Sequence, residues 1–161
     1  AVQESVTYVQ GRRRLFGHLG VTEVREDPLV QDTIGSASSG AFAARTLVLA
    51  VAEHWDRILE RHHEGIATES SFREGKRDVY RIQGEIVDRV LALTTDLFEV
   101  GGASQVSTRH GFDRFWRHAR TVASHNPMKQ RRRMIGAHEL GVEETAEQFG
   151  DVAPTAPSPL T

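Results

Sequence analysis

The sequence of 161 residues predicts an all-α fold, an antiparallel up-and-down four-helix bundle. Apolar residues recur every three or four positions along several long segments, which is the period of an amphipathic helix. Glycines and prolines divide these segments into pieces joined by short connections, as in up-and-down bundles. No stretch of convincing length shows the alternation of apolar and polar residues that is typical of a strand.

The first predicted helix covers Ala1 to about Leu15. The second begins at Asp27-Pro28, because an aspartate side chain accepts hydrogen bonds from a first helical turn and proline suits its first position. This helix is expected to end near Gly65. Small residues at 35–40 either weaken its beginning or allow another helix to approach closely. Its apolar stripe consists of Ala44, Leu47, Val48, Val51, Trp55, Ile58 and Leu59.

The third predicted helix begins around Thr68–Ser71 and ends before Gly101-Gly102. A fourth, shorter helix covers about Phe112 to Val122, and a fifth helical piece covers Met128–Leu140. We therefore expect one helical domain at 1–140. The acidic and proline-rich segment 141–161 is predicted to be a disordered tail. The third helix has the clearest apolar seam, formed by Val79, Ile82, Ile86, Val90, Leu93 and Leu97.

Composition excludes several classes of function. The chain has 20 Lys and Arg against 22 Asp and Glu, and this near-neutral balance argues against general nucleic-acid binding. It has no cysteine, which excludes disulfides and thiolate metal sites and fits a cytoplasmic location. No apolar run approaches the ~20 residues of a membrane span. Because the chain begins at Ala1 with no capping residue before its first helix, we expect a fragment of a longer protein.

Three short motifs have a structural interpretation, and two of them also have a functional one. The arginines of Arg12-Arg13-Arg14, taken in isolation, have only the structural one, because arginine near the C-terminal end of a helix is favourable through the helix dipole. Gly101-Gly102-Ala103-Ser104 follows the third helix, where glycine ends helices and also lets backbone N–H groups approach a phosphate. Glu60-x-x-His63 is a metal-binding pattern, but it has no second copy, so no metal site is expected.

The segment Phe112–Pro127 is the densest in chemically active side chains. Arginines recur every three residues beside Phe115 and Trp116, as on an amphipathic surface helix. The segment then ends in Ser124-His125-Asn126-Pro127, where proline restricts the residue before it. A histidine on such a turn is a candidate acid, base or hydrogen-bond donor.

In their order along the chain, these motifs resemble the C-terminal helical domain of the acyl-CoA dehydrogenase superfamily. Arg13-x-x-Phe16-Gly17 is similar to the Arg-x-x-Phe-Gly at the end of that domain's first helix, and Arg117-His118-Ala119-Arg120 resembles its Arg-Asp-Ala-Arg segment. Gly101-Gly102-Ala103-Ser104 resembles its Gly-Gly loop. The resemblance covers about Ala1 to Leu140.

One departure points to a particular branch of the superfamily. The stretch at His125-Asn126 lacks the glutamate followed by Gly-Thr that is frequent in its dehydrogenases. The segment is instead similar to the flavin-dependent monooxygenase branch. That resemblance implies a reduced flavin, FMN more than FAD, which reacts with O₂ and is supplied by a separate flavin reductase. His125, with Asn126 beside it, would be the catalytic residue that donates a hydrogen bond or proton while a small-molecule substrate is oxygenated.

The resemblance also assigns cofactor-binding residues. Arg13 would bind the phosphate of the flavin held by a neighbouring subunit, with Arg14 as the alternative because the local spacing is ambiguous by one residue. The residues that would lie along the cofactor are Phe16, Gln31, Gly101, Gly102 and Ser104. The resemblance further implies a homodimer or homotetramer assembled through the helical domain. From the charge balance and the lack of a long apolar run, we expect no nucleic-acid or membrane partner.

In this superfamily, an N-terminal helical domain and a middle β-domain complete the flavin and substrate pockets. Nothing in the 161 residues resembles either domain, so we expect the chain alone to lack catalysis and to bind flavin weakly or not at all. Two alternatives stay open. One is the corresponding domain of an FAD-dependent acyl-CoA dehydrogenase, and the other is a non-enzymatic helical oligomerisation module.

Overall fold

A computed structural model describes residues 1–13, 20–125 and 127–142. This part of the chain contains five α-helices and no strand, which confirms the predicted all-α class. The up-and-down topology of four helices stays a prediction, because a fifth helix also packs in the bundle. The helices are α1 (Val2–Gly11), α2 (Pro28–His63), α3 (Glu69–Asp96), α4 (Asp113–His125) and α5 (Met128–Glu139).

Helix α1 ends at Gly11, four residues before the predicted end near Leu15. Arg12 has extended backbone angles, with φ −86° and ψ 131°. Its guanidinium donates a hydrogen bond of 3.0 Å to the carbonyl oxygen of Val100, far away in the sequence. The helix therefore ends where Arg12 makes a tertiary contact. The periodicity of apolar residues in the sequence does not reveal such a contact.

Helix α2 begins where the capping signal predicts. The side chain of Asp27 accepts a hydrogen bond of 2.9 Å from the backbone N–H of Leu29, and Asp27 is only 3% exposed. The helix continues through the small residues at 35–40 without a break. At Gly40, an added Cβ would lie 2.6 Å from a methyl carbon of Leu93 in α3, so this glycine allows close helix contact.

Helices α2 and α3 form an antiparallel hairpin. Gly40 meets Leu93 near one end, and Gly75 meets Ile58 near the other. Helix α3 begins with the predicted cap, since Thr68 and Ser71 exchange hydrogen bonds as a capping box. Helix α5 also runs antiparallel to α3, because α5 residues Arg132 and Glu139 pair with Asp88 and Arg81 of α3 respectively.

The main apolar core lies at the end of the hairpin that holds the beginning of α2 and the end of α3. Helix α1, the 3₁₀ turn Val24–Glu26, and the two long helices all contribute to it. Phe112, the residue directly before α4, joins this end by packing edge-on against the ring of Tyr8 in α1. The buried core residues are Val9, Val24, Val30, Ala37, Leu97 and Val100.

Much of α2 is left uncovered by the rest of the described chain. Phe42 is 74% exposed and Leu49 is 51% exposed. By length and composition alone, α2 is also apolar enough to cross a membrane, with an 18-residue window of mean hydropathy 1.3. The helix carries Arg45 near its midpoint, and a long bundle helix of a globular protein passes the same test.

Candidate functional site

The candidate site begins with a cleft of about 330 Å³ at the end of α1. One wall is the last turn of α1 with Arg12 and Arg13, and the other is the segment from Thr22 to Arg25. Val24, 2% exposed, anchors this second wall in the core. The residues that line the cleft are Val9, Gln10, Arg12, Arg13, Thr22, Glu23, Val24 and Arg25.

Local hydrogen bonds hold the second wall in place. The side-chain amide of Gln31 in α2 donates a hydrogen bond of 3.0 Å to the carbonyl oxygen of Arg25. The hydroxyl of Thr22 donates to a carboxylate oxygen of Glu26 at 3.3 Å. These bonds connect the turn to the beginning of α2, where Asp27 caps the helix. The position of Arg25 across from Arg13 thus follows from the way in which α2 begins.

The cleft is positively charged. Its described lining residues include three guanidinium groups, from Arg12, Arg13 and Arg25, and one carboxylate, from Glu23, which pairs with Arg25. Arg13 is exposed and makes no hydrogen bond or ion pair that involves another described residue. Guanidinium groups match the oxygens of phosphate and carboxylate through two parallel hydrogen bonds. The arrangement therefore suits an anion.

A second, more apolar groove of about 170 Å³ lies beside the cleft. The two share Val9, Gln10 and Arg25 as lining residues, and the predicted cofactor residue Gln31 lies in the second groove. Arg13 and Gln31 are therefore placed in neighbouring grooves of one surface. The remaining lining residues of the second groove are Val6, Val30 and Ile34.

The predicted Gly-Gly loop follows α3 and is joined to the end of α1. Arg12 binds the carbonyl of Val100, the residue directly before Gly101. Gly102 has a φ of +58°, a left-handed conformation that favours glycine. Ser104 is exposed, and its hydroxyl donates a hydrogen bond of 2.9 Å to the carbonyl of Gly101. The chain thus brings Gly101, Gly102 and Ser104 to the same end of the bundle as Arg13.

His125 lies elsewhere in the same chain. It is the exposed last residue of α4, and Met128 at the beginning of α5 lies beside the middle of α3, since its Cε would lie 3.4 Å from a Cβ on Gly84. Leu97 at the end of α3 is 13 residues beyond Gly84, or roughly 20 Å at 1.5 Å per residue. One chain therefore does not bring His125 to the arginine cleft.

Three predicted site residues lie outside the described residues: Arg14 and Phe16, which fall in the gap at 14–19, and Asn126. Sequence reasoning missed Thr22 and Arg25 as members of the cleft, because residues 20–27 have only the pattern of a connecting loop. In residues 1–13, 20–125 and 127–142, no three His, Asp or Glu side chains are grouped so that they could hold a metal ion.

Residues 1–130 match the family model described as acyl-CoA dehydrogenase, C-terminal domain. The chain belongs to the acyl-CoA dehydrogenase family. The resemblance predicted from the motif order is thereby confirmed, and the match includes the helices that form the arginine cleft and the Gly-Gly loop.

The relatives of this acyl-CoA dehydrogenase domain support the monooxygenase branch. Dibenzothiophene monooxygenase from Rhodococcus erythropolis is 28% identical over 144 residues, which cover 87% of this chain and 33% of the relative. The enzyme of the same name from Mycolicibacterium goodii is 28% identical over 145 residues. The chain thus spans about one third of the length of the curated relatives that it matches.

Solved structures agree with these relatives. The FMN-bound structure of TdsC from Paenibacillus sp. A11-2 aligns with a TM-score of 0.79 and 28% identity, covering 93% of this chain and 37% of TdsC. A second TdsC structure, with FMN and indole, has the same TM-score and identity. The chain is therefore similar to TdsC in both sequence and fold.

Proposed function

We propose that these residues are the C-terminal domain of a longer flavin-dependent monooxygenase, a two-component enzyme that uses reduced flavin and O₂. The names of the relatives and the FMN in the TdsC structures support this function and favour FMN over FAD. The chain by itself is expected to be inactive, since it corresponds to about a third of those relatives.

The observation that carries the proposal is the arginine cleft. A phosphate monoester carries a charge of about −1.5 to −2 at neutral pH, and FMN ends in such a group. Three guanidiniums and one carboxylate are the charged groups among the described residues that line the cleft, and their formal charges sum to +2. Arg13 is exposed at the cleft wall and is the side chain that we propose for direct phosphate contact. The residues present therefore fit the phosphate end of a flavin.

The remaining residues position the cofactor and the proton donor. When bound, reduced flavin supplies the activation of O₂, and the protein orients the cofactor and excludes water. Gly102 and Ser104 form an accessible edge at the same end of the bundle, and the adjoining Gly101 is buried. His125 would hold a proton for transfer near the reacting oxygen.

Since His125 and the cleft are far apart within one chain, the proposal requires that two subunits contribute to one site. A homodimer or homotetramer through the helical domain meets this requirement. The exposed apolar residues Phe42 and Leu49 on α2 support such an assembly, because burial of apolar surface favours association. A flavin reductase as electron source, a small-molecule substrate and a cytoplasmic location complete the proposal.

The first experiment titrates the polypeptide that carries all domains with FMN and with riboflavin, which lacks the phosphate. We expect Arg13→Met to weaken FMN binding about tenfold or more, since charge-assisted hydrogen bonds contribute roughly 1.5–3 kcal/mol, and to leave riboflavin binding unchanged. Arg61→Met is the control, because Arg61 is exposed at the opposite end of α2. An equal loss for both flavins would contradict phosphate recognition by Arg13.

The second experiment tests the proton donor. His125→Ala is expected to retain FMN binding and to lose product formation, measured in the presence of a reductase and O₂. His118→Ala is the matched control, since His118 is exposed on the same helix. Unchanged turnover in His125→Ala would remove His125 from the mechanism.

The groove beside the cleft favours a second candidate, an FAD-dependent acyl-CoA dehydrogenase. Its apolar lining from Val6, Val30 and Ile34 would accept a flat aromatic ring next to the anion site, as FAD requires. Titration of the same polypeptide with FAD separates the two candidates. Tighter binding of FAD than of FMN would favour the dehydrogenase.

A further inference from the structure

We infer that Gln105 is a positioning residue that fixes the Gly101-Gly102 turn by filling the space beside Gly101. The inference about the turn rests on contacts within this chain and does not require a bound flavin. Its consequence for flavin binding rests on the proposed function, in which this turn lies along the cofactor.

Gln105 is an unusual core residue. It is 0% exposed and is among the largest fully buried side chains of the described chain. Both its Oε1 and its Nε2 are buried without a hydrogen-bond partner among the described residues. Burial of an unpaired amide destabilises a fold, and an apolar side chain of the same shape would avoid this cost. Because the amide makes no hydrogen bond to a described residue that would stabilise the fold, we attribute the role of Gln105 to the length and shape of its side chain.

The shape of Gln105 is matched to Gly101. A Cβ on Gly101 would overlap the Oε1 of Gln105, and it would lie 2.6 Å from the Cδ and 2.7 Å from the Cβ of that residue, distances that real Cβ atoms essentially never show. The Gln105 side chain therefore occupies the volume that any larger residue at 101 would need. Gly101 itself is buried.

The turn depends on this packing because its own hydrogen bonds are long. The N–H groups of Gly101 and Gly102 donate to the carbonyls of Phe98 and Glu99, each at 3.3 Å. The usual N–H···O distance is about 2.9–3.0 Å. Two further bonds hold the turn from its sides, one from Arg12 to Val100 and one from Ser104 to Gly101. The side chain of Gln105 packs against the turn from its buried side.

This arrangement connects a buried residue to the exposed edge of the proposed site. Ser104 is exposed, whereas the next residue, Gln105, is buried against Gly101. A shorter side chain at 105 would leave a space into which Gly101 can move. Ser104 and the backbone around Gly102 would then lose their fixed positions.

The test measures amide hydrogen exchange by NMR in the 161-residue chain. We expect Gln105→Ala to speed exchange at Gly101 and Gly102 at least tenfold relative to amides in the middle of α3. Gln105→Met, which keeps the length of the side chain and removes its polar atoms, should exchange like the unmodified protein and melt at an equal or higher temperature. Gln130→Ala is the control, since Gln130 is exposed on α5.

Two outcomes would overturn the inference. Exchange that rises uniformly along the chain in Gln105→Ala would show general loss of stability instead of a local effect. Faster exchange at the turn in Gln105→Met would show that the amide acts, and not the shape. Should Gln105→Ala fail to fold, Gln105→Leu is measured in its place, because leucine is apolar and shorter than glutamine. We then expect faster exchange at Gly101 and Gly102, but with a smaller increase than in Gln105→Ala.

A flavin titration extends the test to the polypeptide that carries all domains. FMN affinity is expected to fall severalfold in Gln105→Ala and to be restored in Gln105→Met. Equal affinities in all three proteins would separate Gln105 from cofactor binding. If the unmodified polypeptide binds no FMN, the proposed function fails, and the exchange experiment still decides the role of Gln105 in the turn.

Discussion

The two ends of the α2–α3 hairpin bind the other helices through different forces. At the end where α2 begins, apolar side chains from α1, α2 and α3 form a buried core around Val100 and Leu97. At the other end, near the connection between the helices, Glu74 accepts hydrogen bonds from Arg77 and Arg81. Arg81 also reaches Glu139 of α5.

This difference has a consequence for the proposed site. The arginine cleft and the Gly-Gly loop both belong to the apolar end, where buried residues fix their positions. The polar end instead secures α5 through partly exposed ion pairs, which contribute little to stability. We therefore expect substitutions at the apolar end to affect stability and the site together, and those at the polar end to lower stability less and to leave the site unchanged.

The largest effect is expected at the centre of the apolar end. Leu97→Ala should lower the free energy of unfolding by about 2–5 kcal/mol, because Leu97 is 3% exposed and its loss leaves a cavity. Urea denaturation followed by circular dichroism measures the change. Leu140→Ala is the control, since Leu140 is 82% exposed and should change stability by less than about 0.5 kcal/mol. Similar losses in the two variants would contradict a core at this end.

The second prediction compares the caps at the two ends. Asp27→Ala should destabilise the protein by about 1–2 kcal/mol, because Asp27 caps α2 from a buried position. Thr68→Ala, at the exposed start of α3, should cost about 0.5–1 kcal/mol. The order of the two melting temperatures is the decisive measurement. A larger loss in Thr68→Ala would mean that the hairpin connection, and not the apolar end, limits stability.

These caps also show how much of the fold the sequence can predict. The beginnings of α2 and α3 were predicted correctly, because capping depends on residues within one turn of each other. The end of α1 was predicted too late. Arg12 leaves the helix and binds Val100, which is 88 residues away, and a local pattern contains no information about that contact.

The candidate site was predictable only in part. The order of motifs predicted the family, and the structure places Arg13, Gln31 and the Gly-Gly loop at one end of the bundle. The second wall of the cleft, with Arg25, was not predicted, because its place depends on the burial of Val24 and on the hydrogen bond from Gln31. Gln105 was also missed, since glutamine is mostly exposed in proteins and no local pattern marks a buried one.

The smallest predicted effect concerns the polar end and its dependence on pH. Hydrogen bonds from Arg81 and Arg77 hold the pKa of Glu74 below its usual range. A carboxylate with a lowered pKa in the folded state stabilises the protein above its unfolded-state pKa, and this contribution disappears as the pH falls through the folded-state pKa. We therefore expect part of the free energy of unfolding to be lost below about pH 5.

Arg81→Met should remove part of that acid sensitivity. At pH 7 it should lower the free energy of unfolding by about 0.5–1 kcal/mol, since Glu74 and Arg81 are both partly exposed and solvent screens their interaction. At pH 3 the variant and the unmodified protein should differ less. Arg89→Met is the matched control on α3, because Arg89 and Glu85 lie 4.0 Å apart at the surface. A difference in the free energy of unfolding that stays constant from pH 7 to pH 3 would show that Arg81 acts by packing alone. The ion pairs would then not distinguish the polar end from the apolar end.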